Sequence, residues 1–126
     1  MKLLKYKNLN IVFGCGGDRD KGKRKEMAAI VNKYADFVVV TSDNPRFEEP
    51  KSIIDDICQN IIIPNIKIED RDAAIKEVLK KADIDDVILI AGKGHETYQE
   101  IKGVRKNFSD SLVAKKYLTR YFGADN

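Results

Sequence analysis

Tryptophan is missing from this chain, histidine occurs once and cysteine twice, and these shortages already remove several kinds of chemistry. One histidine (His95) and two cysteines far apart in sequence (Cys15 and Cys58) do not make a His/Cys zinc site, which needs closely grouped ligands. No metal ligand is assigned for that reason, and the cysteines are expected to be free thiols in a reducing compartment. Long apolar runs are lacking too: the longest hold about five residues, where roughly 20 are needed to span a bilayer. The first residues, Met1-Lys2-Leu3-Leu4-Lys5-Tyr6-Lys7, carry neither the apolar stretch nor the cleavage site of a secretory signal, so a cytoplasmic location is expected. One-sided charge is also scarce. Lysine and arginine number 23 against 20 acids, a net charge of +3. The densest basic cluster, Lys21 to Lys25, is flanked by Asp18, Asp20 and Glu26. A nucleic-acid footprint needs a basic face with stacking or base-reading groups, so neither a nucleic-acid nor a membrane partner is expected.

What the chain does have is an alternation of two patterns over 126 residues, a length that suits one domain with one core. Four short β-branched runs (Leu9 to Phe13, Phe37 to Thr41, Ile66 to Ile68 and Val87 to Ile90) read as strands of a sheet covered on both faces. Helical patterns separate them. Lys23 to Tyr34 places Met27, Ile30, Val31 and Tyr34 on one face. Pro50 to Gln59 begins with a proline suited to a first helical position and buries Ile53, Ile54 and Ile57. Asp70 is placed to cap a helix that buries Ala74, Ile75, Val78 and Leu79. Asn60 to Asn65, interrupted by Pro64, is expected to be a loop. Strict alternation of strand and helix favours a doubly wound α/β fold with a mostly parallel sheet. The end differs: Lys102-Gly103 is a two-residue turn signal between Thr97–Ile101 and Val104–Phe108, so a β-hairpin is expected. Ser109 then caps a last helix, Asp110 to Phe122, with Leu112, Val113, the Lys116 stem and Tyr117 inward.

Three loops follow strand carboxyl ends, where ligands of open α/β sheets bind. The first, Gly17-Asp18-Arg19-Asp20-Lys21-Gly22-Lys23-Arg24, begins as a phosphate-binding loop and then fails: Arg24 stands where a Ser or Thr must hold magnesium. Gly14-Cys15-Gly16-Gly17 also misses the dinucleotide fingerprint, because its third glycine position is Arg19, and Asp43 matches a ribose-binding acid by position only. In the second loop, Asp43-Asn44-Pro45-Arg46, the proline holds Asn44 extended, and Arg46 offers a planar fork to a carboxylate. In the third, Gly92-Lys93-Gly94-His95-Glu96, the glycines permit close backbone approach. Glu96 is suited to an ammonium and Lys93 to a phosphate or carboxylate. His95 has no nucleophile placed with it, so a positional role is expected, and Cys15 is expected to be a small structural residue. Cations and an amide together with an acid suit an amino-acid-like zwitterion.

Taken in order and spacing, Val12 to Arg24 (Val-Phe-Gly-Cys-Gly-Gly-Asp-Arg-Asp-Lys-Gly-Lys-Arg), Asp43 to Arg46 and Ala91 to Glu96 resemble the carboxy-terminal domain of the Mur ligases. Within that family they are most similar to the branch that adds the third residue of the peptidoglycan stem peptide. The resemblance runs from about residue 9 to residue 118. It implies a Rossmann-like fold and an ATP-dependent amide ligase, in which a diamino acid attacks an acyl phosphate formed on the D-glutamate of a nucleotide-linked substrate. The Asp-Asn-Pro-Arg form of the loop goes with meso-diaminopimelate rather than L-lysine. By position, Arg19, Asn44 and Arg46 would hold the distal carboxylate of that diamino acid, and the Gly92 backbone with Glu96 its distal ammonium. Asp18, Lys21 and Lys23 would face ATP. Such ligases have three domains, and only the third is matched here. The resemblance therefore implies that ATP and Mg2+ belong to the full-length enzyme and are not bound by this domain alone. The central ATPase domain would be its partner, and the isolated domain, with no catalytic residue of its own, would be inactive. The alternative is a solo diamino acid-binding or regulatory module without ligase activity.

Overall fold

The computed structural model describes residues 7–18, 21–93 and 96–123. Its elements run β1 (Leu9–Phe13), α1 (Gly22–Tyr34), β2 (Phe37–Val40), α2 (Pro50–Cys58), β3 (Asn65–Lys67), α3 (Arg71–Lys80), β4 (Val87–Ala91), β5 (Tyr98–Ile101), β6 (Val104–Asn107) and α4 (Asp110–Phe122). Strands β1 to β4 form one parallel sheet in the order β3-β2-β1-β4, and β5 and β6 form a separate antiparallel hairpin. The chain moves outward from β1 through β2 to β3, and α3 then carries it back to the other side of β1. Parallel crossovers are right-handed, so that reversal puts α1 and α2 on one face of the sheet and α3 on the other.

Alternation along the strands builds the two core layers. Ile11, Phe13, Val38 and Val40 point to one face, where Ala28, Val31, Ile53, Ile54 and Ile57 cover them. Val12 and Val39 point to the other, against Ala74, Ile75, Val78, Leu79 and Tyr117. The helix ends obey their local signals. Pro50 occupies the first turn of α2. Asp70 accepts from the Ala73 amide at 3.1 Å and Ser109 from the Leu112 amide at 3.3 Å, each satisfying an orphan donor of the first turn. In the hairpin turn Lys102 and Gly103 both take positive φ (50° and 80°), which matches the strand twist of a type I′ turn.

Several expectations are corrected. The buried stripe of α1 is Arg24, Ala28 and Val31, while Ile30 and Tyr34 are exposed. The helix is rolled about its axis because Glu48 and Asp56 draw Arg24 inward. Leu112 is 71% exposed, and α4 packs instead through Val113 and Tyr117. The sheet is not covered on both faces throughout: β3 and β4 are edge strands, and Val87 and Leu89 of β4 are exposed on the α1 side. The 60–65 segment is loop up to Pro64, with β3 starting at Asn65.

Candidate functional site

The direction of winding reverses between β1 and β4, so the loops that leave their carboxyl ends diverge and open a crevice. It has a volume of about 370 Å3 and is lined by Gly14 to Gly16, Lys23 and Met27 of α1, Asp43, and Gly92. The loop after β2 seals one side. Gly17 donates its N–H to Asn44 O at 2.8 Å, and a Cβ on Gly17 would lie 1.8 Å from Pro45 O, so no larger residue fits there. Gly92 has φ +113°, a conformation that L side chains rarely adopt, and it sits against Gly14 O.

The Asp43–Arg46 loop is not an open turn. Asn44 is buried, and its side chain is bonded at both ends. Oδ1 accepts from the Glu100 N–H at 2.9 Å and from Lys93 Nζ at 3.1 Å; Nδ2 donates to Glu96 Oε1 at 3.2 Å. Arg46 sits at φ 55°, a strained choice for a non-glycine residue. The hairpin holds it there: Arg46 N–H donates to Glu100 O at 3.1 Å, and Lys102 N–H donates to Arg46 O at 2.7 Å. Its guanidinium donates from Nη1 to Gly17 O and Asn44 O, and Nε lies 3.5 Å from Glu100 Oε1. Strain at a site of this kind is stabilised by the surrounding structure.

Lys93 departs from the expectation of a cation offered to a ligand. Its side chain is fully buried; it donates to Tyr98 O at 2.7 Å and to Asn44 Oδ1 at 3.1 Å, and it lies 2.9 Å from Asp43 Oδ1. The contact with Asp43 is an ion pair without the angle of a directed hydrogen bond. Glu96 Oε1 lies 3.7 Å from the same ammonium. The loop after β4 and the loop after β2 are thus joined through one buried cation.

A second buried cation was not legible in the motifs. Arg71, the first residue of α3, is 1% exposed. It makes a bidentate pair with Asp110 (2.7 and 2.8 Å) and donates to Ser42 O at 3.3 Å and Ala91 O at 3.1 Å. Those carbonyls immediately precede Asp43 and Gly92, so α3 and α4 are tied to both loops of the crevice. Its sequence signal was weak: an arginine after a capping aspartate reads as an exposed first-turn residue.

The other singled-out residues fall as follows. Arg19, Gly94 and His95 lie outside the described residues. Asp18 is exposed at φ 55° and accepts from the Phe47 N–H at 3.1 Å, which ties the glycine turn to the second loop. Lys21 is exposed at the start of α1, beside a polar hollow shared with Glu48 and Asp55. Lys23 is exposed at the crevice mouth. Arg24 is buried against Glu48, Asp56 and Gly16 O, so the position that would hold magnesium in a phosphate-binding loop is filled by a paired cation. That turn does not fit a magnesium–triphosphate site. Burial pushes the Cys15 thiol up to about 11, against reactivity, as expected of a structural residue. Among the described residues no three His, Cys, Asp or Glu side chains cluster as a metal site, and no helix is long and apolar enough to cross a membrane.

A parallel α/β sheet with a mixed-charge crevice at its switch point defines a Rossmann-like domain of the kind that holds a small polar molecule at the strand ends. Comparison with known proteins is more specific: residues 1–94 match the family described as Mur ligase, glutamate ligase domain, and the chain belongs to that family. It is 52% identical over 111 residues to a UDP-N-acetylmuramoyl-L-alanyl-D-glutamate--2,6-diaminopimelate ligase of Chromobacterium violaceum, covering 87% of this chain and 22% of that one. A protein of the same name from Chlamydia felis is 51% identical over 114 residues, covering 90% and 23%. A solved structure of a ligase of that name superposes with a TM-score of 0.85 at 46% identity, covering 90% of this chain and 24% of its own. The chain therefore spans between a fifth and a quarter of the length of these relatives.

Proposed function

We propose that this chain is the acceptor-amino-acid domain of an ATP-dependent ligase that joins meso-diaminopimelate to UDP-N-acetylmuramoyl-L-alanyl-D-glutamate in cytoplasmic peptidoglycan synthesis. The observation that carries the reading is the hydrogen bond from Asn44 Nδ2 to Glu96 Oε1, which joins the loop after β2 to the loop after β4 at the carboxyl edge of the sheet, in a chain about half identical to ligases of that name. In this reading Arg19, Asn44 and Arg46 take the distal carboxylate of the diamino acid, and the Gly92 backbone and Glu96 take its ammonium. Fixed donors suit a planar carboxylate, and a half-exposed acid suits an ammonium that arrives from solvent. Asp18, Lys21 and Lys23 form the rim toward ATP. ATP and Mg2+ are held by the central domain of the longer protein, because the glycine turn here does not fit them. That domain is the partner of this one, and this chain's share of catalysis is to hold the amine near the activated carboxyl. Positioning of that sort is worth about 7–11 kcal/mol in effective-molarity terms.

The test is an amide NMR titration of the chain with meso-diaminopimelate, L-lysine and ATP in separate runs. Saturable shifts with diaminopimelate alone, at Asn44, Arg46, Gly92 and Glu96, are expected. Tight binding of ATP without diaminopimelate would overturn the reading. Arg46→Ala is expected to weaken diaminopimelate binding by about 2–5 kcal/mol, the range for a buried charge pair that loses one partner. An unchanged affinity would remove Arg46 from the site.

A further inference from the structure

The two ends of an asparagine amide are opposite in character: Oδ1 only accepts hydrogen bonds and Nδ2 only donates them. A half-turn of the side chain exchanges them, and nothing in an Asx-Pro loop by itself chooses between the two. At Asn44 the surroundings choose. Oδ1 faces two donors, the Glu100 N–H at 2.9 Å and Lys93 Nζ at 3.1 Å, while Nδ2 faces the Glu96 carboxylate at 3.2 Å. Turned the other way, the amide would set donor against donor and acceptor against acceptor at all three contacts, and Asn44 is buried too deeply for water to relieve them. Lys93 cannot swing aside, because its ammonium is held by Asp43 Oδ1 at 2.9 Å and Tyr98 O at 2.7 Å in a fully buried pocket.

We propose that Lys93 is a positioning residue that fixes the Asn44 amide, so that the loop after β2 presents a donor, Nδ2, on the side where Glu96 stands. The proposal rests on the reading of the crevice as a diamino acid site. It deepens that reading by explaining selectivity for a carboxylate at this point. A ligand carboxylate can take the place of Glu96 on Nδ2, releasing Glu96 toward the ligand's ammonium. A ligand with no distal carboxylate, such as L-lysine, leaves Nδ2 with Glu96. Lys93, together with the Glu100 N–H, makes this choice without touching the ligand.

The experiment reads the Asn44 side chain directly by NMR in the 126-residue chain. In the wild type, a scalar coupling across the hydrogen bond between Glu100 N and Asn44 Cγ is expected, together with slow solvent exchange of the Nδ2 protons. Absence of the coupling overturns the proposal without any variant. In Lys93→Met, exchange of the Nδ2 protons is expected to accelerate by about tenfold or more, as for a lost hydrogen bond, while the Ala74 and Val39 backbone amides keep their protection. Unchanged Nδ2 exchange in a folded Lys93→Met overturns the proposal. If Lys93→Met does not fold, slow solvent exchange of the Lys93 ammonium protons is read in the wild type, and fast exchange of them overturns the proposal. meso-Diaminopimelate is titrated as a separate arm. A fixed amide that responds to Lys93 substitution with no diaminopimelate shift anywhere removes the ligand and leaves the positioning. Saturable diaminopimelate shifts with an amide indifferent to Lys93 do the reverse.

Discussion

Replacing Asp110 with alanine strips the counter-charge from a guanidinium that has no access to water. Arg71 is 1% exposed, and both of its bonds to Asp110 are short, at 2.7 and 2.8 Å. Breaking a buried pair by removing one partner costs about 3–5 kcal/mol. Asp110 keeps some contact with solvent, its side chain being 13% exposed, and the Ser42 and Ala91 carbonyls still accept from Arg71. The low end, about 3 kcal/mol, is therefore expected. For a domain of this length that is about 11 °C in Tm, from the per-residue unfolding entropy of about 2.1 cal/mol/K. It is also a drop of roughly 1–3 M in the urea midpoint. A total stability of about 5–15 kcal/mol leaves the variant folded at room temperature. Urea titration by circular dichroism measures the loss. Hydrogen exchange shows where it acts, because protection of the Ser42 amide, which donates to Glu69 O next to the carbonyl that Arg71 holds, should fall with the clamp. Arg71→Met combined with Asp110→Leu should recover most of the stability, since an apolar pair needs no counter-charge. A loss below about 1 kcal/mol for Asp110→Ala, the size of an exposed pair, would refute the assignment of a buried clamp.

Three further outcomes are expected. Hydrogen bonds from Arg24 hold the Glu48 carboxyl below its ordinary range, so its stabilisation is complete above about pH 4.3 and is lost as pH falls through the lower folded value. Thermal melts from pH 6 to pH 3 should show a steeper acid decline in the wild type than in Glu48→Gln; parallel declines would contradict the pairing. With its thiol pushed up from 9.0 to about 11, Cys15 should be alkylated at pH 8 about a hundredfold more slowly than a free cysteine. Mass spectrometry with Cys15→Ser as control measures the rate, and ordinary reactivity would show the thiol to be open. Glu100→Gln removes the acid that lies 3.5 Å from Arg46, and should raise diaminopimelate affinity up to about fivefold, the range of a part-exposed ion pair; weaker binding would make Glu100 part of the site rather than a competitor.

Features of this protein that depend on neighbours in the chain were legible from the chain. Pro50, Asp70 and Ser109 start helices through bonds within one turn, and Lys102-Gly103 closes its hairpin through its own backbone angles. The β-branched runs of β1 and β2 bury themselves on any parallel sheet, so the alternation of elements and the three loops at their carboxyl ends could be read directly. The fates of the charged side chains could not. Arg24, Arg71 and Lys93 each read as exposed or ligand-facing by type, and each is buried. Their main partners, Glu48 and Asp56, Asp110, and Asp43 with Asn44, lie on other elements. Burial of a charge is favourable only where counter-charge and acceptors already converge. That convergence arises when strands β2, β1 and β4 lie side by side with the first residues of α3 and α4 at their carboxyl ends, and when α2 packs against α1. The residues that form the crevice were therefore present in the sequence as three motifs, while the network that holds their side chains in place was decided by the tertiary structure, because only packing brings such distant charges within bonding distance.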